Sequence, residues 1–384
     1  NGQTTGSFTI NINDDVLVEG TETGTFTISN PSAGLTLGTT TGNVAITDND
    51  FPTVNLSVTP TTGTEAGTTS ITITATTNAP VVGNQTVNLA LTGSATAADF
   101  TGTIPTQITI ANGTSSGQVT FTINDDQIAE ITETANLTIS NPSAGIVLGS
   151  TTTGSFTITD NDTAGFDILP ISGNTSEFGS QATFDIRLRS QPTADVTIPL
   201  TSSNIAEGTI DKNSLTFTSA NWNQPQTVTV TGVDDSVVDG NIAYNIVTAA
   251  ATSTDTNYSG FNAADVAVTN TDNDTKGITV TPTTGLTTTE AGGKATFTVK
   301  LNTQPTADVT IPLTSSNTAE GTIDKNSLTF TSANWNQPQT VTVTGVDDSV
   351  VDGNIAYNIV TAAATSTDTN YSGFNAADVA VTNT

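Results

Sequence analysis

Carboxylate side chains are the groups in this sequence whose types and spacing could do chemistry. The chain has 384 residues, with 36 acidic side chains, 7 basic ones, no His and no Cys. Residues 1–162 contain 14 acids and no Lys or Arg. Acids that served only solubility would scatter over the outer faces of strands, yet these concentrate in a few loops. We therefore expect a cation to lie among them.

The acids between residues 51 and 162 fall in four segments. These are a Thr-Glu-Ala-Gly turn, an Ala-Ala-Asp-Phe loop, the stretch after a Val-Thr-Phe-Thr-Ile strand, and an Asp-Asn-Asp exit. Like charges about 4 Å apart repel by about 4 kcal/mol at an effective dielectric constant of about 20, so converging carboxylates need a counter-ion. Calcium fits best, because it takes about six to eight oxygens in flexible geometry. The alternative is a solvated acidic surface.

The elements that must position these acids repeat along the chain. Asp-Asn-Asp occurs at 48–50, 160–162 and 272–274, which gives a period of about 112 residues. The stretch 191–271 recurs at 304–384 with one difference, Ile205 against Thr318. A fixed long period indicates a tandem array of one structural unit.

Apolar residues alternate within each unit, as in strands that bury one face. Examples are Phe8, Ile10 and Ile12 in the first unit, and Val119, Phe121 and Ile123 in the second. Turn residues interrupt the pattern roughly every 8 to 12 residues. We therefore predict all-β, tandem immunoglobulin-like antiparallel β-sandwich domains that form an elongated rod. Trp222 and Trp335 are interpreted as core or sheet-edge residues.

The order of the acids resembles that of the Calx-β domain, which sodium/calcium exchangers and large bacterial surface proteins contain. The resemblance rests on an early Glu, a mid-unit Asp, Asn-Asp-Asp followed by two Glu, and a closing Asp-Asn-Asp. It implies immunoglobulin-like sandwiches with a calcium cluster at the end from which the chain exits. The ligands that it implies in the second unit are Glu65, Asp99, Asp125, Asp126, Glu130, Glu133, Asp160 and Asp162. Those in the first unit are Asp14, Asp15, Glu19, Glu22, Asp48 and Asp50.

The last two units depart from this order, since Ile242 stands where the second Glu is expected. One fewer carboxylate predicts weaker binding or fewer ions there. The implied ligands of the third unit are Glu177, Glu207, Asp234, Asp235, Asp239, Asp272 and Asp274. Those of the fourth are Glu290, Glu320, Asp347, Asp348 and Asp352. Three other acids, Asp211, Asp255 and Asp265, are interpreted as surface or turn residues.

These patterns predict four units. Residues 1–50 are the second half of a truncated unit, 51–162 a complete unit, 163–274 a divergent complete unit, and 275–384 its near-copy without exit acids. The sequence has no signal peptide and starts inside the repeat, so we expect a window from a longer chain.

The predicted function is a calcium-binding structural repeat region of a large extracellular adhesin, filament or surface-layer protein of a bacterium. Ca²⁺ at the junctions between units would stiffen the array. A net charge of -29 excludes electrostatic binding of nucleic acid or anionic lipid. The expected partners are calcium ions, and further copies of the chain or other surface components, which exposed edge strands could pair with.

Two other functions remain open. A calcium sensor within a larger protein would use similar domains, and a carbohydrate- or ligand-binding adhesion module would need an aromatic platform. The sequence offers only 2 Trp and 4 Tyr for such a platform. An enzyme is not expected. Paired carboxylates can hydrolyse glycosides, but clusters repeated in every unit suit a metal better.

Overall fold

The computed structural model describes residues 3–348 and 350–384, so residues 1 and 2 of the predicted half unit lie outside it. The chain forms two compact units, Asn1–Thr163 and Ala164–Thr384. The described residues form strands, turns and one short 3-10 helix, which confirms the all-β fold class. No helix among them has the length and apolar character needed to cross a bilayer.

Residues 3–50 contain a two-stranded antiparallel hairpin, β1 (Glu22–Thr27) with β2 (Thr41–Ile46). The segment with Phe8, Ile10 and Ile12, which the alternation predicts to be a strand, lies outside regular strands. Phe8 is 73% exposed, although its ring contacts that of Phe26 edge-on with centroids 5.8 Å apart. A strand forms only where it has a hydrogen-bonded partner strand. The corresponding strand of the next repeat, Ser116–Thr122, pairs along its length with a strand that precedes it in the sequence.

Residues 53–159 form a sandwich of two sheets, which we call sandwich A. One sheet has the order β10-β3-β5-β8 and the other β4-β11-β9-β6-β7. The strands are β3 (Thr53–Thr59), β4 (Thr62–Thr64), β5 (Ser70–Thr77), β6 (Gln85–Gly93), β7 (Gln107–Ile110), β8 (Ser116–Thr122), β9 (Glu133–Ser140), β10 (Val147–Leu148) and β11 (Thr153–Thr159), and the 3-10 helix is Ala97–Asp99.

Sandwich B and sandwich C, in the second compact unit, also have one sheet of four strands and one sheet of five strands each, with a different edge strand in the four-stranded sheet. The strands of B are β12 (Phe166–Ile168), β13 (Thr175–Ser176), β14 (Gln181–Leu188), β15 (Val196–Ser202), β16 (Gly208–Ile210), β17 (Ser214–Phe217), β18 (Gln226–Gly232), β19 (Ile242–Thr248) and β20 (Val266–Thr271). Those of C are β21 (Ile278–Thr281), β22 (Leu286–Thr288), β23 (Lys294–Leu301), β24 (Val309–Ser315), β25 (Gly321–Ile323), β26 (Ser327–Phe330), β27 (Gln339–Gly345), β28 (Ile355–Thr361) and β29 (Val379–Asn383).

Each sandwich buries its own apolar core between its two sheets. In sandwich A the rings of Phe100, Phe121 and Phe156 meet edge-on, with centroids 5.2 to 6.3 Å apart. Trp222 belongs to the core of B and Trp335 packs against that of C, as predicted. Three separate cores mean that each sandwich has the apolar contacts of an independent fold.

Short parallel pairings accompany the predicted antiparallel ladders. β4 pairs in parallel with β11, β13 with β20, and β22 with β29. Each of these short strands leads into an acidic turn, at Glu65, Glu177 or Glu290. The parallel pairing therefore sets an early acid beside the exit of the same sandwich, or beside its last strand.

A glycine permits close approach at the same end of sandwich B. A Cβ on Gly232 would lie 2.3 Å from the carbonyl oxygen of Ser176 and 2.6 Å from Oδ1 of Asn270. Gly345 stands in the same relation to Thr289 and Asn383 in sandwich C. Only glycine fits there, so the loop after β18 or β27 can lie against the acidic turn.

Candidate metal centres

Sandwich A brings Asp99, Glu130 and Glu133 together. One carboxylate oxygen from each lies within 4.8 Å of the other two. Asp99 ends the 3-10 helix, where its carboxylate accepts hydrogen bonds from the backbone and hydroxyl of Thr96. Glu133 is the first residue of β9. A loop, a 3-10 helix and a strand end therefore present three oxygens to one point.

The other acidic segments of sandwich A reach the same end. Glu65 is 3% exposed, and burial raises its pKa to about 7, helped by the charges of Asp160, Asp126, Glu130 and Asp99. Burial also raises the pKa of Glu133 to about 7, with Asp99 as the next cause. Like charges so close favour protonation or a bound cation. The four predicted segments thus converge.

The exit turn has the same hydrogen bonds in both complete repeats that contain it. In sandwich A, Asp160 accepts from the backbone N–H of Glu130 at 2.6 Å and of Asp162 at 2.7 Å. In sandwich B, Asp272 accepts from Gly240 at 2.8 Å and from Asp274 at 2.7 Å. These bonds tie the exit segment to the central acidic loop.

Sandwich B has two groups of three carboxylates, each with oxygens within 4.8 Å of one another. The first is Glu177, Asp272 and Asp274, and the second is Glu207, Asp235 and Asp239. Burial raises the pKa of Glu177 to about 7 and also raises that of Asp239 and Asp274, with neighbouring carboxylates as further causes. Asp234 stands outside both groups and accepts from the side-chain amide of Asn273 at 3.1 Å.

A buried polar network that the sequence patterns do not reveal holds Glu207. The amide of Asn270 donates to Oε2 of Glu207 at 3.3 Å and to the carbonyl of Val233 at 2.9 Å. The hydroxyl of Thr175 donates to Oδ1 of Asn270 at 3.1 Å and lies 3.1 Å from the hydroxyl of Tyr244. The available signal was Asn270 itself, a polar residue in step with Val266 and Val268 on the inner face of β20.

Sandwich C repeats the second group of B with Glu320, Asp348 and Asp352. Asn383 donates to Oε2 of Glu320 at 3.2 Å, as Asn270 does to Glu207. Glu290 and Asp347 stand outside this group, although burial and the charge of Asp348 raise the pKa of Glu290.

The segment of residues 3–50 keeps part of the arrangement. Asp48 accepts from the backbone N–H of Asp50 at 2.9 Å and from that of Glu19, which lowers its pKa. The charge of Asp15, followed by that of Glu22, raises the pKa of Glu19. Within the described part of this segment, Asp14, Asp15, Glu19, Glu22, Asp48 and Asp50 form no group of three with oxygens within 4.8 Å.

Four buried carboxylate oxygens test whether these sites suit a cation. Among the described residues, Oε2 of Glu65, Oε2 of Glu133, Oδ2 of Asp162 and Oδ2 of Asp274 are buried and have no hydrogen-bond partner. A buried polar atom without a partner costs free energy unless another group satisfies it. All-oxygen donor sets of Asp and Glu suit a hard divalent cation such as Ca²⁺.

The unassigned acids have structural roles. Asp211 and Asp265 are exposed and accept backbone hydrogen bonds, from Thr229 at 2.7 Å and Thr248 at 3.0 Å. Of the two interpretations given for Asp255, a surface or a turn residue, the second applies. It stands in a turn but is buried, because it joins two segments by accepting from the N–H of Thr193 and Asn257.

Several solved structures are similar to the chain. The crystal structure of CBD12 from CALX1.2 is 16% identical, covers 51% of this chain and 80% of its own, and has a TM-score of 0.26. That of the apo-form Calx CBD1 domain is 21% identical, covers 29% of this chain and 99% of its own, and has a TM-score of 0.24. The Escherichia coli adhesin FdeC is 10% identical, covers 86% of this chain and 96% of its own, and has a TM-score of 0.24.

No curated protein matches the chain. The Calx-beta domain family matches residues 1–50, 47–162 and 271–383. Residues 163–270 lie outside these matches, but 191–271 differ at one position from 304–384, nearly all of which is matched. With most of its length covered, the chain belongs to the Calx-β family.

Proposed function

We propose that this chain is a calcium-binding structural repeat region of a large extracellular adhesin, filament or surface-layer protein of a bacterium. Calx-β domains bind calcium, and the sandwiches of this chain carry grouped carboxylates where such an ion would be bound. Ca²⁺ at the junctions between successive sandwiches stiffens the array. The chain acts as a binding and structural module rather than as an enzyme.

One observation carries the proposal. Asp272 and Asp274 belong to the short segment between β20 and β21, and their oxygens group with that of Glu177 of sandwich B. The connection between B and C therefore supplies two of the three carboxylates. An ion held there would fix the connection to sandwich B.

The residues of this chain would share the work of holding the ion. Glu177 comes from the turn after β13, and Asp272 is oriented by the N–H groups of Gly240 and Asp274. Asn273 donates its backbone N–H to Oε2 of Glu177 at 2.8 Å. The bound ion supplies the positive charge that lets these carboxylates stay ionised side by side.

An affinity in the range of about 0.1 to 1 mM, typical of extracellular calcium modules, would keep such sites filled outside a cell. The excess of acids over bases in the chain, 36 against 7, raises the local concentration of divalent cations. The affinity range supports the extracellular location that we propose. The excess of acids supports the absence of nucleic acid among the partners.

Calcium titration by calorimetry tests the proposal. We expect the chain to bind several ions, and the double variant Asp272→Asn with Asp274→Asn to lose at least one of them. The matched control is Asp195→Asn, which removes an exposed acid of the same sandwich outside both carboxylate groups. The absence of calcium-dependent heat in the unmodified chain at millimolar calcium would contradict the proposal.

A further inference from the structure

The central acidic loop of sandwich B is held by sandwich C. The backbone N–H of Gln304 donates to the carbonyl of Ser236 at 2.7 Å. The side-chain amide of Asn370 donates to the carbonyl of Val238 at 2.8 Å. Both acceptors lie between Asp235 and Asp239, and residues 237 and 238 are half-buried. We call residues 236–238 the plug of sandwich B.

The receiving surface on sandwich C is built by a buried aspartate. Asp368 accepts from the N–H of Thr306 and of Asn370, both at 2.8 Å. The hydroxyl of Tyr371 donates to the carbonyl of Thr303 at 2.9 Å. These bonds join the segment that begins at Gln304 to the segment that contains Asn370. We call the pair of donors on Gln304 and Asn370 the socket.

Sandwich C has the same sequence in its central acidic loop, and there the two valines of the loop are exposed. Residues 347–353 repeat 234–240 without a change. Val350 is 59% exposed and Val351 is 104% exposed, whereas their counterparts Val237 and Val238 are half-buried. Ser349 lies outside the described residues. Because the two loops have one sequence, the cover that sandwich C provides accounts for the difference in exposure.

We propose that Val350 and Val351 form a docking surface for another sandwich of the B and C type, which receives them in its socket. The observed contact between B and C shows the geometry that we expect for this docking. It joins the plug of one sandwich to the socket of the next, which are two different surfaces. Such head-to-tail contacts continue from one sandwich to the next instead of closing into a pair. This docking goes beyond the proposed function, because it depends on the packing of the loop and needs no ion.

Chemical cross-linking through introduced cysteines tests this docking. The chain has no Cys of its own, so only the introduced thiols react. The first protein is the intact chain with Val350→Cys. The second is residues 275–384, which contain the complete core of sandwich C, with Thr369→Cys next to the socket donor Asn370. The second protein also carries Val351→Asp, so that it offers a socket without a plug. Circular dichroism verifies that it is folded, and a short bismaleimide joins the two thiols.

We expect a cross-linked product of the two proteins. Adding Asn370→Ala to the second protein removes one hydrogen bond and should lower the yield about fivefold. The matched control for the first protein is Asn326→Cys, an exposed site elsewhere on sandwich C, which should give only the background yield. Equal yields from Val350→Cys and Asn326→Cys would overturn the proposal, as would a product made of two intact chains joined at Val350.

Running the reaction in calcium and in chelator separates this inference from the proposed function. Cross-linking that survives in chelator, in a chain that shows no calcium binding by calorimetry, supports the docking while the proposed function fails. Calcium binding without specific cross-linking supports the proposed function and overturns the docking.

Discussion

Buried carboxylates without cations give the calcium-free chain an unusual dependence on pH. The pKa values of Glu65, Glu133 and Glu177 are raised from 4.5 to about 7. A raised pKa means that the folded state binds protons more tightly than the unfolded state. The stability from these protons is fully present below pH 4.5 and is lost as the pH rises through about 7.

We therefore expect the urea midpoint of the calcium-free chain to fall between about pH 5 and about pH 8. Saturating calcium should remove most of this fall, because the ion replaces the protons. Glu65→Gln and Glu177→Gln together should flatten the pH dependence in chelator. A midpoint that rises with pH in chelator would contradict the assignment of these buried acids.

The amide of Asn270 is the second residue-scale feature that makes a prediction. Because it donates to Glu207, Asn270→Leu should weaken calcium binding in sandwich B at least about tenfold, since one hydrogen bond to a charged group contributes about 1.5 to 3 kcal/mol. Sandwich A has Ile158 at the aligned position, two residues before its exit Asp. We therefore expect an aliphatic side chain of this size to fit at position 270. Calorimetry measures the affinity.

Tyr244→Phe is the matched control for that variant. It removes the far end of the same network, the hydroxyl beside Thr175, and leaves the bond between Asn270 and Glu207 in place. It should lower stability while the calcium affinity stays close to that of the unmodified chain. Equal losses of affinity in both variants would show that the network acts through general packing.

At the scale of elements, two segments of sandwich C depend on one buried aspartate. Asp368→Asn replaces a carboxylate that accepts two backbone hydrogen bonds. Hydrogen bonds to a charged group contribute about 1.5 to 3 kcal/mol. We expect the free energy of unfolding of sandwich C to fall by about 2 kcal/mol, measured by urea denaturation. Asp308→Asn, at an exposed position of the same sandwich, should have little effect.

Alternation and repeats allowed the sandwiches to be predicted, because the spacing of apolar residues in a half-buried strand is set directly by its geometry. Val119, Phe121 and Ile123 lie in or next to β8, as predicted, and two of the three are buried. Phe8, Ile10 and Ile12 have the same spacing but remain exposed, since a strand also needs a neighbour. Pattern alone does not supply that neighbour.

The acidic site was predicted in outline from the sequence, and its buried supports were not. Glu177 is 95 positions from Asp272 in the chain, yet the two meet as the order of acids implied. The burial of Asp255 was not predicted, because a turn aspartate looks the same in the sequence whether its carboxylate faces solvent or backbone amides. Asn270 was missed because a single polar residue in a strand of alternating apolar residues does not name its partner.

At the scale of the whole molecule, the connections between sandwiches decide how the array behaves. The connection from β20 to β21 is short and carries Asp272 and Asp274. In the second compact unit, sandwich C also holds the plug of sandwich B through Gln304 and Asn370. An ion bound by the connection and the docking of the plug of sandwich B would restrict the same junction. Calcium should therefore narrow the range of orientations of C relative to B.

The most direct test is a distance measurement between spin labels placed on B and C. Asn213→Cys and Asn326→Cys put labels at equivalent exposed positions of the two sandwiches in a chain that has no other Cys. We predict a narrow distance distribution in calcium and a broader one in chelator, with Asp272→Asn and Asp274→Asn giving the broad distribution in both. A distribution of the same width with and without calcium in the unmodified junction would contradict calcium-dependent stiffening.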